Sequence, residues 1–141
     1  MNSEEYTIID YEFPDEALEF LEEKIYENNS GLVGKKDGKL FSKIIKDETN
    51  SIIAGIAGWT WANACEITTL WVDQQHRKKG FGKKLLEEAE REAIMNHCSV
   101  ISLRSYDFQA PLFYEKYGYK TEHIIDDFPP GHRYYYLLKR L

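Results

Sequence analysis

The sequence predicts an α/β fold with a mixed, mostly antiparallel central sheet of about six to seven strands, flanked by helices. Three observations lead to this fold class. Strand-like and helical segments alternate along most of the chain. Three consecutive strand-like segments form a meander of antiparallel neighbours. The segment from Cys65 to Leu103 then has the order strand, loop, helix, strand, which predicts a right-handed crossover and a parallel pair.

The beginning of the chain predicts one strand and one helix. Tyr6–Phe13 alternates loosely between apolar and polar residues and is predicted as a strand. A helix should begin at Pro14, because proline suits the first helical turn, and the acidic Asp15 and Glu16 suit the positive end of the helix dipole. The run Asn28-Asn29-Ser30-Gly31 is expected to end this helix.

The middle of the chain predicts the meander and a longer helix. Its strand-like segments are Lys39–Lys46, Ser51–Trp61 and Cys65–Val72. Polar residues at Asp47–Asn50 and a turn at Ala62-Asn63 join them. From Phe81 to about His97 the apolar residues recur with the helical period.

Four short elements complete the predicted fold, and we expect residues 1–141 to form a single domain. They are a strand at Val100–Leu103, a helix at Ala110–Lys116, and strands at Tyr119–Ile125 and Arg133–Leu138.

The composition excludes several classes of protein. No apolar stretch approaches the roughly 20 residues that span a bilayer, and the acidic first residues do not resemble a signal peptide. We therefore expect a cytoplasmic protein that does not act on membranes. The two cysteines, Cys65 and Cys98, are too far apart in the sequence for a CxxC site, so we expect free thiols and no metal.

The charge of the chain is distributed unevenly. The net charge is −6, but the segment from Gln74 to Lys84 carries five basic residues and no acid, which leaves −11 for the rest. An acidic protein is a poor match for nucleic acid, because phosphate binding along a polynucleotide needs an extended positive surface. A short basic segment favours a small anionic ligand instead.

This basic segment lies at the junction between a predicted strand and a predicted helix. Gly80 and Gly82 allow the backbone to turn sharply and approach a ligand closely. The first amides of the helix lack intrahelical acceptors, and the helix dipole favours an anion there. A phosphate site is one interpretation. A tight turn with solvated lysines is the other.

Two motifs in this region resemble the GNAT superfamily of acetyl-CoA-dependent N-acetyltransferases. Leu70-Trp71-Val72 followed by Arg77-Lys78-Lys79-Gly80-Phe81-Gly82 is similar to that family's pyrophosphate loop, (Gln/Arg)-x-x-Gly-x-(Gly/Ala). The segment from Asp107 to Tyr119 is similar to its second block, Asn-x-x-Ala-x-x-x-Tyr-x-x-x-Gly-(Phe/Tyr). The order of elements also matches, except that the family's second helix is missing or shortened near Gly31–Gly38.

The resemblance implies that acetyl-CoA is the cosubstrate and that it binds where two parallel strands splay apart. Its pantetheine arm is expected to pair with the backbone of Leu70 and Val72 like an added strand, with a backbone amide holding the oxyanion. Its pyrophosphate is expected on the basic loop, formed by Arg77, Lys78, Lys79, Gly80, Phe81, Gly82 and Lys83. The implied reaction is direct transfer of acetyl to a primary amine of a small molecule or peptide, within a ternary complex.

The resemblance also suggests two catalytic residues. Tyr114 matches the family tyrosine that protonates the departing thiolate, although a core tyrosine would have the same spacing. Glu66 lies where the family often has a glutamate that accepts the amine proton, although a solvated strand glutamate is an equal alternative. Asp73 and His76 are alternative bases, but they lie on the pyrophosphate side. Asp107 departs from the family's asparagine, so we expect it to cap the helix at Ala110.

The acceptor is the least determined part of the prediction. The last hairpin offers Asp126, Asp127 and the Tyr134–Tyr136 run, and Trp59 and Trp61 are further candidates. Acidic and aromatic groups suit a cationic amine, while ordinary strand packing and turn formation explain the same residues. Exposed terminal strands are compatible with a homodimer. The alternative function is a non-catalytic CoA-binding regulatory module on the same fold.

Overall fold

The computed structural model of the chain describes residues 5–141, in two units, residues 5–36 and Asp37–Leu141. In the first unit, residues 5–13 have no regular secondary structure, so the predicted strand at Tyr6–Phe13 is wrong. A strand persists only where a neighbouring strand accepts its backbone hydrogen bonds, and the sheet of the described residues contains no partner for this segment.

The first unit contains one helix, α1 (Pro14–Val33). It begins at the predicted proline and has the two predicted acids in its first turn. It continues through Asn28–Gly31 and ends at Gly34, which adopts the left-handed conformation and donates its N–H to Ser30 O. The predicted end was wrong because asparagine, serine and glycine only lower helix propensity, by up to about 1 kcal/mol each. Within residues 5–141 no helix combines the length and the apolar character needed to cross a membrane.

The second unit is a six-stranded sheet with two helices. Its elements are β1 (Lys39–Lys46), β2 (Ile52–Trp61), β3 (Ala64–Val72), α2 (Phe81–Met95), β4 (Val100–Tyr106), α3 (Pro111–Lys116), β5 (Lys120–Asp126) and β6 (Arg133–Arg140). The strand order is β1-β2-β3-β4-β6-β5, in which only β3 and β4 are parallel. The predicted mixed, mostly antiparallel α/β fold is confirmed.

The core of this unit lies between one face of the sheet and the helices α2 and α3. The apolar stripe of α2 packs against the central strands, and Tyr114 of α3 joins the same cluster. Each large apolar side chain buried in this way contributes about 1.5–3 kcal/mol relative to exposure. The buried members include Ile56, Ile67, Leu85, Leu86, Ala89, Ala93, Ile101, Leu103 and Leu137.

The parallel pair β3–β4 is short. It runs only from Ala64 opposite Val100 to Ile67 opposite Leu103. Beyond that point β3 remains paired with β2, and β4 remains paired with β6, but the two strands are no longer neighbours. The sheet therefore forks between β3 and β4 at the ends of these strands.

A β-bulge coincides with the fork. Thr68 is an extra residue in β3, because the register shifts between Ala57 and Gly58 of β2, and its hydroxyl donates to Ala57 O at 3.2 Å. Ile67 before the bulge and Leu70 after it therefore both pack against the core on the α2 side. If β3 alternated regularly through Thr68 instead of bulging there, Leu70, three residues after Ile67, would turn to the opposite face.

Gly58 lies opposite the bulge, and this position has no room for a side chain. A Cβ added there would collide with Glu66 O and approach the Phe41 ring at 2.8 Å. We expect Gly58→Ala to lower the free energy of unfolding by roughly 1–3 kcal/mol, and Tm by roughly 3–10 °C, because the backbone must shift. Thermal unfolding followed by circular dichroism measures this change. Gly31→Ala is the control and should not lower Tm, because a Cβ at this helical site would have nothing within 4 Å. Equal Tm values for wild type and Gly58→Ala would contradict the close approach of Glu66 O to Gly58.

Candidate functional site

The fork between β3 and β4 opens into a cavity of about 700 Å³, a size typical of small-molecule sites. One wall is formed by residues 67–72 of β3 and the other by residues 103–105 of β4. Arg77 follows the first wall. The start of α3 and the loop before it complete the lining through Phe108, Gln109, Ala110, Phe113 and Tyr114.

The β3 wall presents unpaired backbone groups. Asp73 donates its N–H to Ile53 O on the β2 side, at 2.8 Å. Because the backbone groups alternate in direction along a strand, those of Leu70 and Val72 face the fork. The Arg77 side chain donates from Nε to Val72 O at 3.2 Å. The cavity thus has an open strand edge along which an extended ligand can pair.

The N-terminus of α2 follows this wall and has no cap. Gly80 precedes the helix in the left-handed conformation, with φ 81°, and the first turn contains neither an acid nor a side-chain cap. Lys84 is the first residue whose amide reaches an intrahelical acceptor, Gly80 O at 3.1 Å. In the described part of the chain the amides of Phe81, Gly82 and Lys83 have no acceptor. These donors and the helix dipole favour an anion at this position.

Exposed cationic side chains surround this helix N-terminus. Lys78 and Lys79 are exposed, and Lys83 makes only a loose, exposed ion pair with Glu87 at 3.9 Å. Like charges beside the positive end of a helix are unfavourable unless an anion offsets them. The cationic side chains of the predicted basic loop therefore lie beside backbone amides that have no acceptor.

Asp73 and His76 contact each other at the start of the basic loop. His76 Nδ1 and Asp73 Oδ2 are 2.9 Å apart, and the His76 amide donates to Asp73 O at the same distance. The two candidate bases on this side of the cavity are therefore paired with each other across a single turn of 3₁₀ helix (Gln74–His76).

Tyr114 lines the cavity from α3. Its side chain is buried, and its ring makes edge contacts with Phe113 and Tyr119. Burial raises the pKa of Tyr114 to about 12, so the phenol is protonated at neutral pH and can donate. Phe113 joins this helix to the basic loop, because its ring lies 3.3 Å from the position that a Cβ on Gly82 would occupy.

Glu66 lies one residue before the fork, on the other face of the sheet. Its neighbours Cys65 and Ile67 are buried on the α2 side, so alternation turns Glu66 away from α2 and away from Tyr114. Its carboxylate forms an ion pair with Arg104 of β4 at 3.4 Å, and Arg104 lines the cavity. The structure thus brings Tyr114 into the cavity but connects Glu66 to it only through Arg104.

Asp107 does not cap α3, so that expectation is wrong. The helix begins at Pro111 without a side-chain cap. The Asp107 carboxylate instead accepts from the Arg133 amide at 2.9 Å and lies 3.0 Å from His132 Nδ1. Asp107 therefore connects the loop after β4 to the start of β6. Local sequence spacing could not reveal this long-range contact.

The sequence analysis did not predict that Arg104 and Ser105 of β4 line the cavity. The predicted strand ends at Leu103. In the structure β4 continues to Tyr106, since β6 pairs with it along its whole length. Phe113 was within the second motif but had no assigned role; the match to that motif was the signal that could have found it.

A family model described as an acetyltransferase (GNAT) domain matches residues 37–121, more than half of the chain. The chain belongs to the GNAT acetyltransferase family. The resemblance seen in the two motifs is thereby confirmed, and the matched range begins at the start of the second structural unit.

Individual GNAT relatives agree with this assignment. Blasticidin-S acetyltransferase of Streptomyces morookaense is 35% identical over 98 residues, which are 67% of this chain and 70% of the relative. The crystal structure of an acetyltransferase from Bacillus cereus is 33% identical with a TM-score of 0.79, and the match covers 96% of this chain and 98% of that one. PaiA N-acetyltransferase from Thermoplasma acidophilum, crystallised with coenzyme A, shares the fold at 23% identity and a TM-score of 0.61, over 72% of this chain and 61% of its own.

The raised pKa of Tyr114 predicts a pH dependence of stability for this GNAT protein. An unfolded tyrosine loses its proton near about pH 10, whereas Tyr114 in the fold does so near about 12. The stability linked to Tyr114 is therefore complete below about pH 10 and lost as the pH rises towards about 12, at most about 2–3 kcal/mol. Thermal unfolding of wild type and Tyr114→Phe between about pH 9 and 11.5 measures it. Wild type should lose more stability than the variant, and parallel curves would contradict the shift.

Proposed function

We propose that the protein is an acetyl-CoA-dependent N-acetyltransferase that transfers the acetyl group directly to a primary amine of a small molecule or peptide in a ternary complex. The observation that carries the proposal is the cavity at the fork. It combines an open strand edge, an uncapped and basic helix N-terminus, and a protonated tyrosine. We further propose that residues 1–141 act as one functional domain.

The basic loop would hold the pyrophosphate of the cosubstrate. The amides of residues 81–83 provide donors, and the side chains of Arg77, Lys78, Lys79 and Lys83 provide positive charge. The backbone of Leu70 and Val72 would pair with the pantetheine arm. The Arg77 guanidinium already occupies Val72 O, which leaves the Leu70 groups and the Val72 amide for this pairing.

The two proposed catalytic residues, Tyr114 and Glu66, lie on opposite faces of the sheet beside the fork. The activated acyl group comes with the cosubstrate, so the protein has to align an amine and move two protons. As the new C–N bond forms and the C–S bond breaks, the Tyr114 hydroxyl would protonate the departing sulfur. Glu66 on the other face would accept the amine proton, directly or through water. A backbone amide at the fork would stabilise the charge on the thioester oxygen.

Blasticidin S is the first acceptor to examine, because a relative that is 35% identical is named for its acetylation.

The alternative function is a non-catalytic CoA-binding module. Acetylation activity distinguishes the two functions. Binding of coenzyme A without acetylation of any amine would favour the non-catalytic module.

Coenzyme A should stabilise the protein against heat, whereas pantetheine should stabilise it much less. At about 100 times its Kd a ligand adds about 2.7 kcal/mol, which for a chain of this length is roughly 6–10 °C in Tm. Pantetheine lacks the pyrophosphate and cannot use the basic loop. Differential scanning fluorimetry with both ligands measures the difference, and equal shifts would contradict the phosphate site.

The lysines of the loop provide a matched test of the same site. Replacing Lys78, Lys79 and Lys83 together by glutamine should weaken coenzyme A binding at least tenfold and leave pantetheine binding unchanged. Lys120→Gln on β5 is the control, because this exposed lysine lies outside the cavity lining. A similar loss in the control would point to non-specific charge attraction.

Tyr114→Phe should lower kcat by roughly 10²–10⁴ while the Tm shift with coenzyme A is retained, because proton transfer is lost and the cavity shape is kept. Glu66→Gln should lower activity most at low pH, where an amine most needs a base. Thiol release from acetyl-CoA across a panel of amines measures both. Unchanged turnover in Tyr114→Phe would exclude this residue as the acid.

A further inference from the structure

Four aromatic rings are stacked on the sheet face opposite α2, beside the fork. Tyr106 of β4 lies against Tyr134 of β6, with ring centroids 4.3 Å apart. Phe108 is stacked on Tyr106 at 5.1 Å and an interplanar angle of 5°. Phe128 is stacked near both tyrosines, at 5.3 Å from Tyr134 and nearly parallel to Tyr106.

The outer rings of this stack are exposed. Phe108 is 59% exposed and Phe128 is 49% exposed, and both lie on loops rather than on strands. Phenylalanine carries no polar group that would favour water. A contiguous exposed aromatic surface of this kind is typical of a binding site.

Polar contacts hold these loops in place. The loop that carries Phe108 is fixed by the two contacts of Asp107, to the Arg133 amide and to His132, and the His132 ring packs edge-on against Phe108 at 5.0 Å. The loop that carries Phe128 is closed by the Gly131 amide, which donates to Asp127 Oδ1 at 3.2 Å. The rings are thus presented by ordered turns, which lowers the entropic cost of binding a ligand against them.

The stack is continuous with the catalytic cavity. Phe108 and Arg104 both line the cavity. Arg104 lies 5.8 Å from the Tyr136 ring, and it also forms the ion pair with Glu66. The Tyr136 ring in turn makes an edge contact with Tyr134 at 5.6 Å. A molecule lying on the stack would therefore reach the face that bears Glu66.

We propose that this stack, formed by Tyr106, Phe108, Phe128 and Tyr134, binds the acceptor, and that the acceptor carries a flat conjugated ring a few bonds from its primary amine. That the acceptor has a primary amine rests on the proposed acetyltransferase function. That it has a flat ring rests on the stack alone. Parallel rings that are about half exposed, as Phe108 and Phe128 are, accept another flat ring by offset stacking. A puckered aliphatic ring of the same size loses that interaction.

The test compares 2-phenylethylamine with 2-cyclohexylethylamine, which share the same carbon skeleton and amine but have a flat aromatic ring and a puckered saturated ring, respectively. Binding of each amine to the full chain saturated with coenzyme A is measured by calorimetry, and acetylation of each is measured by thiol release from acetyl-CoA. We expect the phenyl compound to bind roughly three- to tenfold more tightly.

Phe128→Leu should abolish this preference and leave binding of the cyclohexyl compound unchanged, whereas Phe128→Tyr should retain it. Phe128 is suited to the test because it is half exposed and does not line the cavity. Phe108→Leu should also reduce the preference for the phenyl compound, and the Kd for coenzyme A is measured in parallel because Phe108 lines the cavity. A circular dichroism melt confirms that each variant is folded.

Equal binding of the two amines by wild type would overturn the proposal, as would a preference that Phe128→Leu and Phe108→Leu both leave intact. A phenyl preference in binding would support the stack even without turnover, whereas only the absence of acetylation across the whole amine panel would refute the proposed acetyl transfer. The two proposals therefore fail by different measurements.

Discussion

The organisation of the second structural unit depends on the point at which β3 and β4 stop pairing. Parallel strands normally share a continuous ladder, and here the ladder covers only four residue pairs. The bulge at Thr68 bends β3 away from β4, while Gly58 lets the bulged backbone come close to β2. Backbone groups that the ladder would have consumed become available at the fork. The cavity and its strand edge follow from this departure from regular pairing, as does the separation of Glu66 and Tyr114 on opposite faces.

The uneven charge of the chain has a structural counterpart. The basic segment surrounds a helix N-terminus whose first amides are free, so side-chain charge, helix dipole and backbone donors act at one place. Lysines in this position repel the dipole in the empty protein. An anion of the expected charge reverses that cost, which makes the loop more stable with ligand than without it. Within residues 5–141, the cavity lining contains no acidic side chain. The aromatic stack beside the fork is therefore the stronger indication of acceptor chemistry.

Most of the fold was predictable because its signals are local. Periodicity identified α2, and turn residues separated β1, β2 and β3 at nearly their observed ends. The errors have a common cause. The segment Tyr6–Phe13 has strand-forming residues, but the sheet of the described residues contains no strand from it. β4 is longer than predicted because β6 pairs with polar residues that resemble a loop in sequence. Strand pairing is decided by distant segments, so strand ends and lone strands are the least predictable elements.

The sequence by itself determined the family, the mixed sheet and the basic loop, because these depend on residue types at fixed short spacings. The tertiary structure decided the rest. It moved Asp107 from an expected helix cap to a bridge between two loops, paired Glu66 with Arg104, and assembled rings from β4, β6 and their loops into one stack. These contacts join residues about 25 to 40 positions apart. Their formation depends on the register of strands that pack together only once the hydrophobic core has formed.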